Sequence, residues 1–194
     1  MTRTELINCF IRRRQYWSYL ELGVNDAENL NQVACAFKCG VDPAVATLDT
    51  VLCMTSDAFF QENEKTFDII FIDGMHEEDQ VDRDISNALS RLNPGGVIIL
   101  HDCLPPDEWH QRPLAECKPG ENWNGTVWKS VLKYFTSSEW VCYIVNCDWG
   151  CGVIDTTSRA TAPHATHTGI LEYGRDFSRL QPYTVDVDCF LAML

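Results

Sequence analysis

The strongest constraint on this chain is a pair of apolar runs, each ending abruptly in an acid with an imidazole close by. Phe67-Asp-Ile-Ile-Phe-Ile-Asp-Gly-Met-His76 is followed, one helix-length later, by Asn93-Pro-Gly-Gly-Val-Ile-Ile-Leu-His-Asp102. Runs of this length and apolarity predict two buried strands. Each delivers a carboxylate and a histidine at its carboxyl end, where open α/β sheets keep their ligands.

The rest of the chain alternates in the same way. Tyr16 to Gly23 reads as a strand, and Asp26 can cap a helix on which Leu30, Val33, Ala34 and Phe37 recur at helical spacing. A short strand ends at Val41-Asp42-Pro43. A further apolar piece, Thr50 to Met54, precedes Thr55-Ser-Asp57 and an amphipathic turn with Phe59 and Phe60. Val81, Ile85, Ala88, Leu89 and Leu92 line one face of a helix, and Pro94-Gly95-Gly96 turns the chain back. Strands alternating with helices imply right-handed crossovers and a mainly parallel sheet covered on both faces. Cys103 to Trp123 holds four prolines and little periodicity, which predicts a lid or substrate-binding loop. A helix carrying Val127, Trp128, Val131, Leu132 and Phe135 comes next. Trp140 to Cys147 and Cys151 to Thr156, split by Asp148-Trp-Gly150, then predict a closing antiparallel hairpin. The reading is one domain over 1–194, with a core of about 16–155 and an appended segment, 156–194, whose Phe177, Leu180, Phe190 and Leu194 pack on it.

Composition narrows the partners. A net charge of −13 argues against nucleic acid, which demands a basic stripe. The one basic cluster, Arg12-Arg13-Arg14, is expected on the solvated face of an N-terminal helix. No apolar leader pattern precedes the ten cysteines, so the expectation is a reduced, cytoplasmic chain whose thiols act as small core residues. Cys142, Cys147 and Cys151 lack a Cys-x-x-Cys pair, so zinc is not expected. No apolar run reaches membrane-spanning length.

The first strand ends Leu20-Glu-Leu-Gly-Val-Asn-Asp26, a glycine-bearing turn at which a missing Cβ lets a ligand approach the backbone. Asp42 follows about twenty residues later, at the end of the second strand, where a carboxylate can hold both hydroxyls of a ribose.

Glu-Leu-Gly at 21–23, Gly-Val-Asp-Pro at 40–43, Thr-Ser-Asp at 55–57, Phe-Asp-Ile-Ile-Phe-Ile-Asp-Gly-x-His at 67–76 and Pro-Gly-Gly-Val-Ile-Ile-Leu-His-Asp at 94–102 occur in this order. The set resembles the class I S-adenosylmethionine-dependent methyltransferases, within them the small single-domain branch with Ile-Asp-Gly-x-His and His-Asp strand ends. The resemblance spans roughly 16–155. It implies a Rossmann-like α/β fold with a seven-stranded, mostly parallel sheet, a C-terminal antiparallel hairpin and helices on both faces. It also implies that Glu21, Gly23 and Asn25 border the methionine part of the cofactor, that Asp42 binds its ribose, and that Ser56 and Asp57 sit beside the adenine. The chain departs from the family at Asn25-Asp-Ala-Glu28, where further glycine is usual.

Neighbouring parallel strands lie about 4.8 Å apart, so Asp73 and Asp102 can converge. Two carboxylates that close repel unless a cation sits between them, and hard oxygen ligands suit Mg²⁺, which can bind vicinal hydroxyls. Several metal-dependent sugar methyltransferases that the family resembles use acids at these strand ends. The other reading has Asp73 bonding only the cofactor and Asp102 only capping a loop. His76 and His101 are the candidate general bases. Adjacent strand residues point oppositely, so His101 and Asp102 face one cleft only if the strand has already ended. His76 is therefore the preferred base. Trp123 and Trp128 read as core or lid packing, and His164 and His167 as surface residues.

A nicotinamide oxidoreductase is disfavoured, because the chain has neither G-x-G-x-x-G nor Tyr-x-x-x-Lys; no P-loop is present either. The expected function is methyl transfer from S-adenosylmethionine to a small hydroxylated acceptor, a sugar by preference, with Mg²⁺ as an assisting ion. The competing reading is a non-catalytic module binding a nucleoside, sugar or partner protein. A homo-oligomer is left open.

Overall fold

The computed structural model describes residues 1–45, 49–118, 120–160 and 169–194. His164 and His167 lie outside the described residues. The chain opens with helix α1 (Arg3–Arg14), started by a capping box in which the Thr2 hydroxyl accepts from the Glu5 N–H and the Glu5 carboxylate accepts from the Thr2 N–H. Then come β1 (Ser18–Leu22), α2 (Glu28–Gln32), β2 (Phe37–Val41), β3 (Val51–Leu52), α3 (Ser56–Glu62), β4 (Phe67–Ile72), α4 (Glu78–Ser90) and β5 (Leu92–Leu100). The second half supplies α5 (Val127–Ser137), the hairpin β6 (Trp140–Val145) and β7 (Cys151–Arg159), a short α6 (Tyr173–Asp176), β8 (Thr184–Val185) and α7 (Val187–Met193).

The strands form a single sheet in the order β3-β2-β1-β4-β5-β7-β6-β8. β1 to β5 pair in parallel, whereas β7 runs antiparallel to both β5 and β6. The expected seven strands and closing hairpin are present, and the sheet has an eighth strand. That strand comes from the tail, where Thr184 and Val185 pair in parallel with Ile144 and Val145 and satisfy an otherwise open edge.

Period-two alternation divides the central strands between two apolar layers. Leu20, Leu22, Ile70, Ile72, Ile98 and Leu100 pack with α3, α4 and α5. Tyr19, Ile69, Phe71, Val97 and Ile99 pack with α1, α2 and the α7 residue Phe190. Helices thus cover both faces, as expected.

Several local readings change. The helix expected after Asp26 is barely more than one turn, and Phe37 opens β2 instead of extending it. The residue before the helix is Ala27, in a left-handed conformation, and the Asp26 carboxylate accepts from the Glu28 N–H at 3.1 Å. Leu92 and Pro94-Gly95-Gly96 lie within β5, where a register shift against β4 absorbs the irregular backbone in place of a turn. Of the three arginines expected in solvent, Arg12 and Arg13 are exposed, but Arg14 forks the Asp155 carboxylate on β7 at 2.9 and 2.5 Å.

The proline-rich loop after β5 is tied down from within. Arg112, 3% exposed, donates to the carbonyls of Trp109 and Glu116 and to the Glu121 carboxylate, and its guanidinium lies 3.9 Å from the centre of the Trp109 ring. Trp123 closes the loop by donating from its indole to the Arg112 carbonyl at 2.6 Å. Trp128 is fully buried against Tyr173 and Phe177. Among the described residues, no helix is long and apolar enough to cross a membrane.

Candidate active site

β4 and β5 are parallel neighbours in register, Ile72 opposite Leu100, so their next residues emerge side by side. The Asp73 N–H donates to Leu22 on one side, and the His101 N–H to Ile72 on the other. β5 ends at Leu100, and Asp102 adopts a left-handed backbone with φ 58°. That break releases the strand alternation, and both His101 and Asp102 turn into the cleft. Their companion His76 is fixed through its backbone: Thr126 N–H donates to its carbonyl at 2.7 Å, and Gly125 passes so close that a Cβ there would sit 2.1 Å from the same oxygen.

The four side chains meet. His76 Nε2 lies 3.3 Å from Asp73 Oδ1, and its Nδ1 lies 3.3 Å from Asp102 Oδ2 and 3.2 Å from the Trp123 carbonyl. His101 Nδ1 bridges the two acids, 3.1 Å from Asp73 and 3.2 Å from Asp102. Asn124 donates to Asp102 Oδ1 at 2.6 Å, and the Trp123 ring stacks on His76 with centroids 5.2 Å apart. Among the described residues, Asp73, His76 and Asp102 each offer one ligand atom within 4.8 Å of the others, a set able to hold a metal ion.

Charge in this cluster is strongly coupled. Burial alone would raise the Asp73 pKa, but the imidazoles of His101 and His76 hold it well below the usual carboxylate range. Burial would lower His101, yet Asp73, Asp102 and Asp148 push it up to about 12. Asp148, on the β6–β7 turn, is held at about 2, chiefly by its hydrogen bond to His101. His76 is raised too, its burial outweighed by Asp73 and Asp102. His101 Nδ1 therefore sits between the two acids, and both favour its protonation.

A cleft of about 450 Å³ opens beside the cluster, lined among others by Gly23, Asn25, Asp42, Ser56, Asp73, Gln80, Asp84 and Trp123. Gly23, at φ +84°, is required by packing: a Cβ there would meet the Asp73 carbonyl at 2.1 Å. The neighbouring strand end alone requires it, and Gly23 also lines the cleft. In the turn that follows, Asn25 and Ala27 hold left-handed φ values of 50° and 62°, the conformation that glycine adopts freely. At the positions where the resemblance leads one to expect further glycine, this chain thus places Asn25 and Ala27 in the conformation that glycine would favour.

Asp42 lines the cleft, but its carboxylate is occupied. Val24 and Asn25 N–H donate to Oδ2 at 2.9 and 3.0 Å, and Ala44 N–H to Oδ1 at 2.8 Å. Burial would raise its pKa; these amides and that of Val45 keep it below the usual range. Ser56 faces the cleft, while Asp57 is turned towards Arg83, 3.3 Å away. Glu21 lines a second cavity of about 330 Å³ together with Arg3, Asn29, Asp73, His76 and Asp102. Burial pushes its carboxyl up to about 7, against the hydrogen bonds from Tyr19 and Asn29.

Sequence reasoning missed Arg3, Gln80, Asp84, Asn124 and Asp148. Asp84, 1% exposed on α4, accepts from Gln80 at the floor of the cleft. Its signal was an acid one residue before Ile85 on an otherwise apolar helix face. Arg3 and Asp148 gave none, because they reach the site from opposite ends of the chain.

Residues 20–103 match the family described as methyltransferase domain. The matched stretch runs from β1 through the end of β5 and carries both strand-end acids. No curated protein matches it in sequence. Among solved structures, the chain resembles the O-methyltransferase from Bacillus cereus in complex with SAH, with 12% identity over 79% of this chain and 80% of that one and a TM-score of 0.56. The O-methyltransferase TomG from Streptomyces achromogenes, in complex with SAM, gives 14% over 79% of each chain and 0.57. MycE methyltransferase of the mycinamycin pathway, in complex with Mg, SAH and mycinamycin VI, gives 14% over 78% of this chain and 48% of its own, with a TM-score of 0.51. At these identities the likeness is one of fold.

Proposed function

We propose that this chain is a class I methyltransferase that moves the methyl group of S-adenosylmethionine to a hydroxyl oxygen of a small, hydroxyl-rich acceptor, a sugar by preference. One observation carries the reading: three cavities converge on Asp73, His76, His101 and Asp102. The 450 Å³ cleft and the 330 Å³ cavity share Gly23, Asn25 and Asp73, a continuous path for a nucleoside and its amino-acid arm. A recess of about 240 Å³ adjoins them, lined by Arg3, His101, Asp102, Glu121, Asn122, Trp123, Asn124 and Trp149. Carboxylates and amides beside two indole rings suit a ligand with many hydroxyls and apolar C–H faces. A net charge of −13 argues against a nucleic-acid acceptor.

In this reading the Trp123 carbonyl accepts from His76 Nδ1–H, which leaves Nε2 to take the acceptor's proton. The freed oxygen attacks the methyl carbon, the carbon–sulfur bond breaks, and the positively charged sulfonium becomes a neutral thioether. Asp73 and Asp102 stabilise the imidazolium that forms. The donor set also fits a divalent cation, which Asp73 and Asp102 would hold beside His76. Bound there, such an ion supplies positive charge that acidifies and orients the acceptor hydroxyls. The His101 bridge favours a second reading, in which that charge comes from the chain itself. Turnover with a panel of sugar acceptors, followed by S-adenosylhomocysteine release, tests the proposal. Stimulation by Mg²⁺ and suppression by EDTA support the ion; equal rates in both assign the charge to His101. No turnover of any hydroxylated acceptor by a protein that binds the cofactor would remove the O-methyl transfer reading.

The non-catalytic module is not favoured. Its support was the altered first turn, and there Asn25 and Ala27 hold the left-handed conformation that glycine adopts freely.

A further inference from the structure

The cavity beside Glu21 is rich in acids, with Glu21, Asp26, Asp73 and Asp102 in its lining, and Arg3 is the one arginine or lysine among its lining residues. Arg3 arrives from the first turn of α1, held by its own N–H, which donates to Asp148 Oδ2 at 2.8 Å. Its side chain is incompletely satisfied. Nη1 lies 3.4 Å from His101 Nε2 and 3.6 Å from Asp148 Oδ2, but Nε is buried without a hydrogen-bond partner, its nearest acid oxygen being Asp73 Oδ2 at 3.9 Å. A buried guanidinium N–H left unbonded is costly, and the planar fork of arginine can grip a carboxylate with two parallel hydrogen bonds. An amino-acid arm entering this cavity brings an ammonium, which the four acids suit, and a carboxylate, which they repel.

We propose that Arg3 receives the carboxylate of the cofactor's methionine arm through its guanidinium. This rests on the S-adenosylmethionine reading above, and it makes Arg3 a binding residue that α1 carries to the site. The test compares S-adenosylmethionine with its decarboxylated analogue, by calorimetry, on the whole protein. Wild type should prefer the carboxylated form by about 10-fold or more, the scale of a charge-assisted pair. Arg3→Gln should bring that ratio to about one or below, and Arg3→Lys, a point charge without the fork, should leave it reduced but above one. An unchanged ratio in these variants overturns the proposal, even if both affinities fall together, as they would for a merely structural arginine or one serving the acceptor. If Arg3→Gln does not fold, the Arg3→Lys ratio decides alone, a wild-type value overturning it. Failure of wild type to bind S-adenosylmethionine would instead strike the proposed function.

Discussion

Two sets of acids line this site, and they are balanced by different means. At the end of β2, Asp42 is satisfied by backbone amides of the turns around it, Val24, Asn25 and Ala44. At the ends of β4 and β5, Asp73 and Asp102 are satisfied by side chains: two imidazoles, an amide and a distant guanidinium. A carboxylate held by main-chain N–H groups is part of the fold, because moving it unmakes the turn. One held by side chains can exchange partners when a substrate, proton or ion arrives. The difference separates the residue that builds the turn after β1 from those suited to chemistry.

The largest expected effect lies on the side-chain cluster. His76→Ala should lower turnover by about 10²-fold or more, the scale of a lost general base, with cofactor affinity little changed. Asp102→Asn should behave alike, and a cofactor affinity falling in step with rate would break the distinction between the two regions. Next comes Glu21, whose carboxyl is raised to about 7 in the fold. A buried acid with a raised pKa stabilises while protonated, so its contribution is complete below about pH 4.5 and is lost as pH rises through 7. Denaturant unfolding should show a loss of about 3 kcal/mol across that window, flattened in Glu21→Gln. Asp42→Ala should cost about 2 kcal/mol of stability through the amides it leaves unpaired, more than Asp102→Ala. Cofactor loss without destabilisation would return Asp42 to the ribose. The smallest effect is Ala27→Gly. Relief of left-handed strain is offset by the freedom glycine gains in the unfolded chain, so stability should stay within about 1 kcal/mol and cofactor binding should persist.

The strand ends were legible because a buried parallel strand announces itself as an apolar run, and its last residue follows from where the run stops. Asp73, His76, His101 and Asp102 all come together as the pattern suggested. Whether His101 and Asp102 share a face was not legible, since it hangs on the φ of Asp102. Asp42 illustrates the opposite limit: its spacing marked the cleft, but the direction of its carboxylate is set by amides of turns that periodicity does not describe. Gly23 was read for the ligand and is needed for the Asp73 carbonyl. Arg3 and Asp148 were invisible, because only the finished sheet brings an N-terminal helix and a hairpin turn to the same imidazole.

Titration of S-adenosylmethionine, S-adenosylhomocysteine and NAD against the purified protein tests the central claim most directly. Saturable binding of the first two with one site per chain, and none of NAD, is the predicted result. A protein that ignores both S-adenosyl ligands, or that takes NAD more tightly, would contradict the account and leave an acid-lined Rossmann-like cleft in search of another ligand.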